Sequence, residues 1–118
     1  MQRGDIYWVE LGKPRGHRQA GRRPAIVIQA QTFLETLPTT LMIPLTTQLE
    51  ALRFPATVLI EPDERNGLRR PSVALVFQIA PVDKRYIRER LGTVNSEQLS
   101  VIEGLLCQLV AISSSEEA

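Results

Sequence analysis

The end of this chain differs in kind from everything before it. From Leu99 the apolar residues fall at 99, 102, 105, 106, 109 and 110, the three-and-four spacing of one helix face. Asn95 followed by Gln98 has the form of a capping pair, so the spacing predicts a helix over about 96–112. Such a stripe must be buried against something, and the preceding residues offer only short strands. These are read at 4–11 (GDIYWVEL), in AIVIQA after Pro24, at 40–46 (TLMIPLT), 56–61 (ATVLIE), 72–78 (SVALVFQ) and briefly at 90–94 (RLGTV). Pro44 marks its strand as an edge or a bulge. PDERNG at 62–67 is dense turn chemistry, and 83–88 has room for one helical turn. Five or six short strands closed by one helix predict a mainly β fold, a small barrel packed by its C-terminal helix. One domain is expected over 1–112, with 113–118 as a solvated tail.

Composition narrows the chemistry. With 118 residues, 43% of them hydrophobic, there is material for one core. No apolar run reaches the ~18 residues of a membrane span, and the first residues lack an apolar leader, so a cytoplasmic location is expected. One cysteine, Cys107, makes no internal disulfide, and its place beside the helical stripe suits a small hydrophobe. One histidine, His17, allows no multi-histidine cluster, and the acids are scattered. No metal, no cofactor and no glycine-rich phosphate loop are expected.

The formal net charge of +1 hides a polarised chain. Residues 12–23 carry Lys13, Arg15, Arg18, Arg22 and Arg23 with no acid. Residues 53–90 carry eight positive charges against five acids, and residues 91–118 carry four glutamates and no positive charge. Twelve of the fourteen basic residues are arginine, whose planar fork grips phosphate in a way an ammonium cannot. Arg23 stands at the base of the 12–23 loop, just before a strand, while Thr46 and Thr47 close the strand at 40–46. An arginine and a threonine hydroxyl held together could stabilise a pentacoordinate phosphorane. The same two residues could equally be a strand-end ion pair and a turn hydroxyl. Tyr7 and Trp8, neighbours on a strand, face opposite sides, one toward the core and the other available to a partner.

In order along the chain, Arg3-Gly4-Asp5-Ile6-Tyr7, Arg23-Pro24-Ala25-Ile26-Val27-Ile28-Gln29, Leu45-Thr46-Thr47-Gln48 with Pro55 beyond, Ser72-Val73, Gln78-Ile79 and Val82-Asp83-Lys84-Arg85 resemble the MazF/PemK family of toxin endoribonucleases. The resemblance runs over roughly residues 3–112. It implies an SH3-like barrel, a symmetric homodimer, and neutralisation by a MazE-like antitoxin. It also implies metal-independent, sequence-specific cleavage of single-stranded RNA, leaving a 2′,3′-cyclic phosphate and a 5′-hydroxyl. The family's catalytic arginine and threonine fall on Arg23 and Thr46. RNA contacts fall on His17, Arg18, Gln19, Gln48, Arg53, Ser72 and Gln78.

Two departures stand out. Relatives carry a Glu-Gln pair in the first loop where this chain reads Gly16-His17-Arg18-Gln19, which offers His17 as an acid–base group. Relatives also carry an acid before the second glutamine, where this chain has Phe77, an apolar or stacking residue that would alter base preference. Two other readings share the resemblance: a gyrase-binding poison of the CcdB type, acting through the C-terminal helix, and a degenerate member that binds RNA or a partner without cutting.

Overall fold

The structure is a computed structural model and describes residues 1–12, 16 and 21–113. His17, Arg18 and Gln19, and residues 114–118 of the expected tail, lie outside the described residues. Among the described residues seven strands form one sheet: β1 (Asp5–Glu10), β2 (Arg22–Val27), β3 (Thr39–Thr46), β4 (Thr57–Ile60), β5 (Ser72–Leu75), β6 (Ala80–Asp83) and β7 (Ile87–Thr93). Their order is β4-β5-β3-β2-β1-β7, with β6 paired to β3, and all pairings are antiparallel. The expected SH3-like architecture is present, although the sheet does not close on itself. Two short helices, α1 (Gln31–Leu34) and α2 (Ser96–Leu109), and three 3₁₀ turns, η1 (Leu49–Arg53), η2 (Val76–Gln78) and η3 (Lys84–Tyr86), complete it.

The unbroken apolar run in AIVI follows from a strand buried on both faces. Ile26 and Ile28 join one cluster with Ile6, Ile43, Leu45, Ile60, Val76 and Ile102, while Ala25 and Val27 join another with Val9, Leu34, Met42 and Val82. Helix α2 covers the first face. Ile102 is fully buried, and Leu99, Leu105 and Leu106 pack beside it. Both arms of the predicted cap exist: the Asn95 side chain accepts from the Gln98 N–H at 2.7 Å, and the Asn95 N–H donates to Gln98 Oε1 at 3.1 Å. The helix stops at Leu109, short of the expected 112, because Ala111 turns left-handed (φ 59°) and the Ile112 N–H donates back to the Cys107 carbonyl at 2.8 Å. The last two positions of the stripe, Leu109 and Val110, are consequently exposed.

Other expectations shift. Pro44 lies in a central strand, not at an edge. It falls in the gap where β3 changes partner, from β6 at Thr39–Met42 to β5 at Leu45–Thr46, so no ladder bond is asked of its missing N–H on that side. The run 72–78 is not one strand. It breaks after Leu75 into η2, where the Phe77 N–H donates to the Ala56 carbonyl at 3.3 Å and the Ile79 N–H to that of Val76 at 3.1 Å. The sequence PDERNG does form a turn, and Asn66 is its fully buried centre. The Asn66 amide nitrogen donates to the Glu61 carbonyl at 2.8 Å, and its side-chain oxygen accepts from the N–H groups of Asp63 and Leu68 at 3.2 and 3.0 Å. This turn rests directly on β7: a Cβ on Gly92 would stand 2.2 Å from the Arg65 carbonyl oxygen and 2.5 Å from the Asn66 carbonyl carbon.

Candidate active site

The two expected catalytic residues come from neighbouring strands. Arg23 lies in β2 and is half-buried, while Thr46 ends β3 and is 5% exposed. Their side chains line one cleft of about 620 Å³ together with Trp8, Ser72, Arg69 and Arg70. Thr46 is held by its own loop: its Oγ1 accepts the Gln48 N–H at 3.2 Å. One lone pair is thereby engaged, and the hydroxyl keeps its capacity to donate. Ser72 Oγ donates to the Arg70 carbonyl at 3.1 Å, tying the start of β5 to the arginine-bearing loop.

The charge of this cleft is of one sign. Among the described residues Arg22, Arg23, Arg69 and Arg70 line it, and no acidic residue does. Arg22 is partly neutralised by Glu89, accepting at 2.9 Å, and its guanidinium lies 5.1 Å from the centre of the Trp8 ring. That bond, after a hydrogen bond from the backbone of Glu89 itself, holds the Glu89 carboxyl below the usual carboxylate range. Arg69 and Arg70 form no ion pair among the described residues. A cleft lined by one sign of charge focuses the field on an anion. Arg69 and Arg70 carried no site signal beyond a mildly basic middle segment. They reach the cleft because the Asn66 turn seats on Gly92 and because Gly67, with φ 70°, passes against Leu91 where a Cβ would stand 2.2 Å from its carbonyl oxygen. The acidic end of the chain is also engaged: Glu103 on α2 pairs with Arg3 at 2.6 Å.

The remaining described residues expected to contact RNA cluster on the other side of Thr46. Gln48, Arg53 and Gln78 line a second cavity of about 380 Å³, with Thr46 itself in the wall shared by both. Phe54 and Phe77 form its apolar part, with ring centres 5.4 Å apart and planes inclined at 51°. The Arg53 guanidinium lies 4.7 Å from the Phe54 ring centre. Of the strand-one aromatics, Trp8 lines the basic cleft and Tyr7 packs on the second core cluster, where burial and then the Asp5 carboxylate raise its phenol pKa. Among the described residues no three His, Cys, Asp or Glu side chains gather where a metal could sit, and no helix is long and apolar enough to cross a membrane.

The family model for the PemK-like, MazF-like toxin of type II toxin–antitoxin systems matches residues 2–110. The chain is 30% identical over 106 residues to Endoribonuclease EndoA of Bacillus subtilis (strain 168), covering 90% of each chain. A crystal structure of MazF from Deinococcus radiodurans superposes with a TM-score of 0.77 at 25% identity, covering 92% of this chain and 94% of that one. A MazE–MazF structure from the same organism superposes with a TM-score of 0.75 at 25% identity, covering 96% and 97%.

Proposed function

The chain belongs to the PemK-like, MazF-like toxin family of type II toxin–antitoxin systems, and on that premise we propose that it is an endoribonuclease whose cutting centre is Arg23 and Thr46. Its substrate is single-stranded RNA, its working form a cytoplasmic homodimer, and its inhibitor a MazE-like antitoxin. The observation that carries the assignment is the cleft in which Arg23 and Thr46 meet Arg69 and Arg70, with no acidic residue in its lining among the described residues. The relatives include a named endoribonuclease and MazF bound to MazE, and they lend no support to a gyrase poison.

The reaction needs no outside nucleophile. The ribose 2′-hydroxyl gives its proton to solvent water as its oxygen bonds to the adjacent phosphorus, the bond from phosphorus to the 5′-oxygen breaks, and the departing 5′-oxygen takes a proton from water, so the step is balanced. DNA lacks the nucleophile, so the chemistry selects RNA before any base is read. Charge on the non-bridging oxygens grows in the transition state, where preorganised donors act most strongly. Arg23 supplies a fork of N–H donors and a full charge there. Thr46 adds its hydroxyl hydrogen, aimed by the bond from Gln48. A guanidinium brings fixed N–H donors and no acceptor, so Arg23 acts by electrostatics and not as a general base.

Incubation of the purified protein with a long single-stranded RNA in EDTA, followed by mapping of both new ends, tests this. Cyclic-phosphate and 5′-hydroxyl ends that vanish in Arg23→Ala are expected. Intact RNA, or cleavage surviving in Arg23→Ala, would overturn the assignment. Bound but uncut RNA would favour the degenerate binder.

A further inference from the structure

The second cavity holds a carboxylate that the cutting chemistry does not use. Glu50 lies in η1, lines the cavity beside Phe54 and Phe77, and takes part in no ion pair or side-chain hydrogen bond among the described residues. Its relation to Arg53 is set by the helix type. A 3₁₀ turn has three residues per turn, so side chains at i and i+3 eclipse, and Glu50 and Arg53 project from one edge. They nevertheless do not pair with one another: the guanidinium lies over the Phe54 ring instead. The cavity wall therefore offers two acceptor oxygens from Glu50 and guanidinium donors from Arg53, next to aromatic rings.

A lone carboxylate repels the phosphate chain and so selects the part of a nucleotide that donates hydrogen bonds, the base. Aromatic side chains hold any splayed base by its face, and the edge then decides which base fits. The Watson–Crick edge of guanine presents two adjacent donors, N1–H and the N2 amine, followed by the O6 acceptor. Adenine presents one donor and one acceptor, cytosine one donor and two acceptors, and uracil one donor between two acceptors. Only guanine matches two acceptors followed by a donor.

We propose that this cavity is a guanine subsite for a nucleotide flanking the scissile phosphate, with Glu50 accepting from N1–H and the N2 amine and Arg53 donating to O6. The ligand's identity as RNA rests on the ribonuclease reading above. The placement beside the phosphate rests on Thr46, which lines both the basic cleft and this cavity.

The test is equilibrium binding, read by fluorescence anisotropy, of labelled 2′-fluoro hexanucleotides that are uridine except for one central guanine, inosine or adenine. Inosine lacks only the N2 amine, and the fluorinated ribose removes the attacking hydroxyl, so no cleavage enters the measurement. The protein should bind the guanine hexamer about tenfold more tightly than the inosine one, the worth of one hydrogen bond to a charged group. Glu50→Ala should bring that ratio to near one. Glu50→Gln, which turns two acceptors into one acceptor and one donor, should favour adenine over guanine. Equal binding of guanine and inosine, a ratio that survives Glu50→Ala, or no binding of any hexamer would overturn the subsite. Guanine preference in a protein that leaves ordinary RNA intact would instead overturn the ribonuclease reading and keep the subsite.

Discussion

Replacing Gly92 with alanine adds one methyl group at a position where the structure has no room for it. Gly92 has an ordinary backbone conformation, so the effect is one of packing alone. The new Cβ would meet the Arg65 carbonyl oxygen at 2.2 Å and the Asn66 carbonyl oxygen at 2.6 Å, both backbone atoms, so no side chain can swing aside. Either β7 or the whole 61–70 turn must move. The Thr93 N–H bond to the Arg65 carbonyl, 2.9 Å long, joins the two at this point and is strained or lost. Overpacking of this kind costs about 1–3 kcal/mol, and a lost hydrogen bond about 1 more. A total of about 3 kcal/mol lowers the melting temperature of a domain this size by about 10 °C. The same displacement carries Arg69 and Arg70 away from Arg23 and Thr46. A shift of about 1 Å in binding groups is enough to lower kcat/KM by about tenfold or more. Thermal melts by circular dichroism and cleavage of a fluorogenic RNA read the two effects. Gly104→Ala is the counterpart: it lies exposed in α2 with nothing within 4 Å of its Cβ, and it should stabilise by about 0.5–1 kcal/mol. A Gly92→Ala protein that melts within about 2 °C of its parent and cuts RNA normally would refute the reasoning from close backbone approach.

Three further outcomes are expected. Thr46→Val keeps the side-chain shape but removes the hydroxyl and should slow cleavage by about 10²–10³-fold, the cost of one transition-state donor; single-turnover rates within threefold of the parent would count against the role. His17→Ala should slow cleavage less than about tenfold, below the usual contribution of a general base; a loss as large as that in Arg23→Ala would make His17 the base. The Asp83 carboxyl is held below its ordinary range, first by the Arg85 side chain and then by the Arg85 N–H, so its stabilising contribution is present above the unfolded pKa and fades as the pH falls through the folded value. An NMR titration should place its midpoint below that of a free aspartate and shift it upward in Arg85→Ala; an unmoved midpoint would show that the pairing in the structure does not persist in solution.

What could be read in the chain tracks how local its cause is. The periodicity of α2 and its Asn95–Gln98 cap were legible because helix and box are both written within a few residues. Arg23 and Thr46 were legible as residues at strand ends, although their shared cleft needs the β2–β3 pairing, with Ala25 opposite Pro44, to bring them together. The break of SVALVFQ into β5 and η2 was not legible, since its composition is that of a strand and the bond that turns it comes from Ala56. Strand β6 was missed because Ala80 and Pro81 are poor strand formers. It pairs with β3 alone, where a proline is tolerated. Arg69 and Arg70 read only as charges in a mildly basic middle segment, and the seat of the preceding turn on Gly92 is what gives them a place in the cleft.

The position of Thr46 in a wall between two cavities divides the protein's possibilities for change. Arg23 and Thr46 sit on strands whose neighbours are core residues, and alterations there endanger the fold. The side chains proposed to face a base, Glu50, Arg53, Phe77 and Gln78, stand on η1 and η2 and none of them is buried; of these two turns only Val76 joins the core. A lineage of such toxins could therefore exchange one RNA target for another by substitutions in these two turns while the cutting centre stays as it is. Target choice, in this architecture, is a cheap variable and chemistry a costly one.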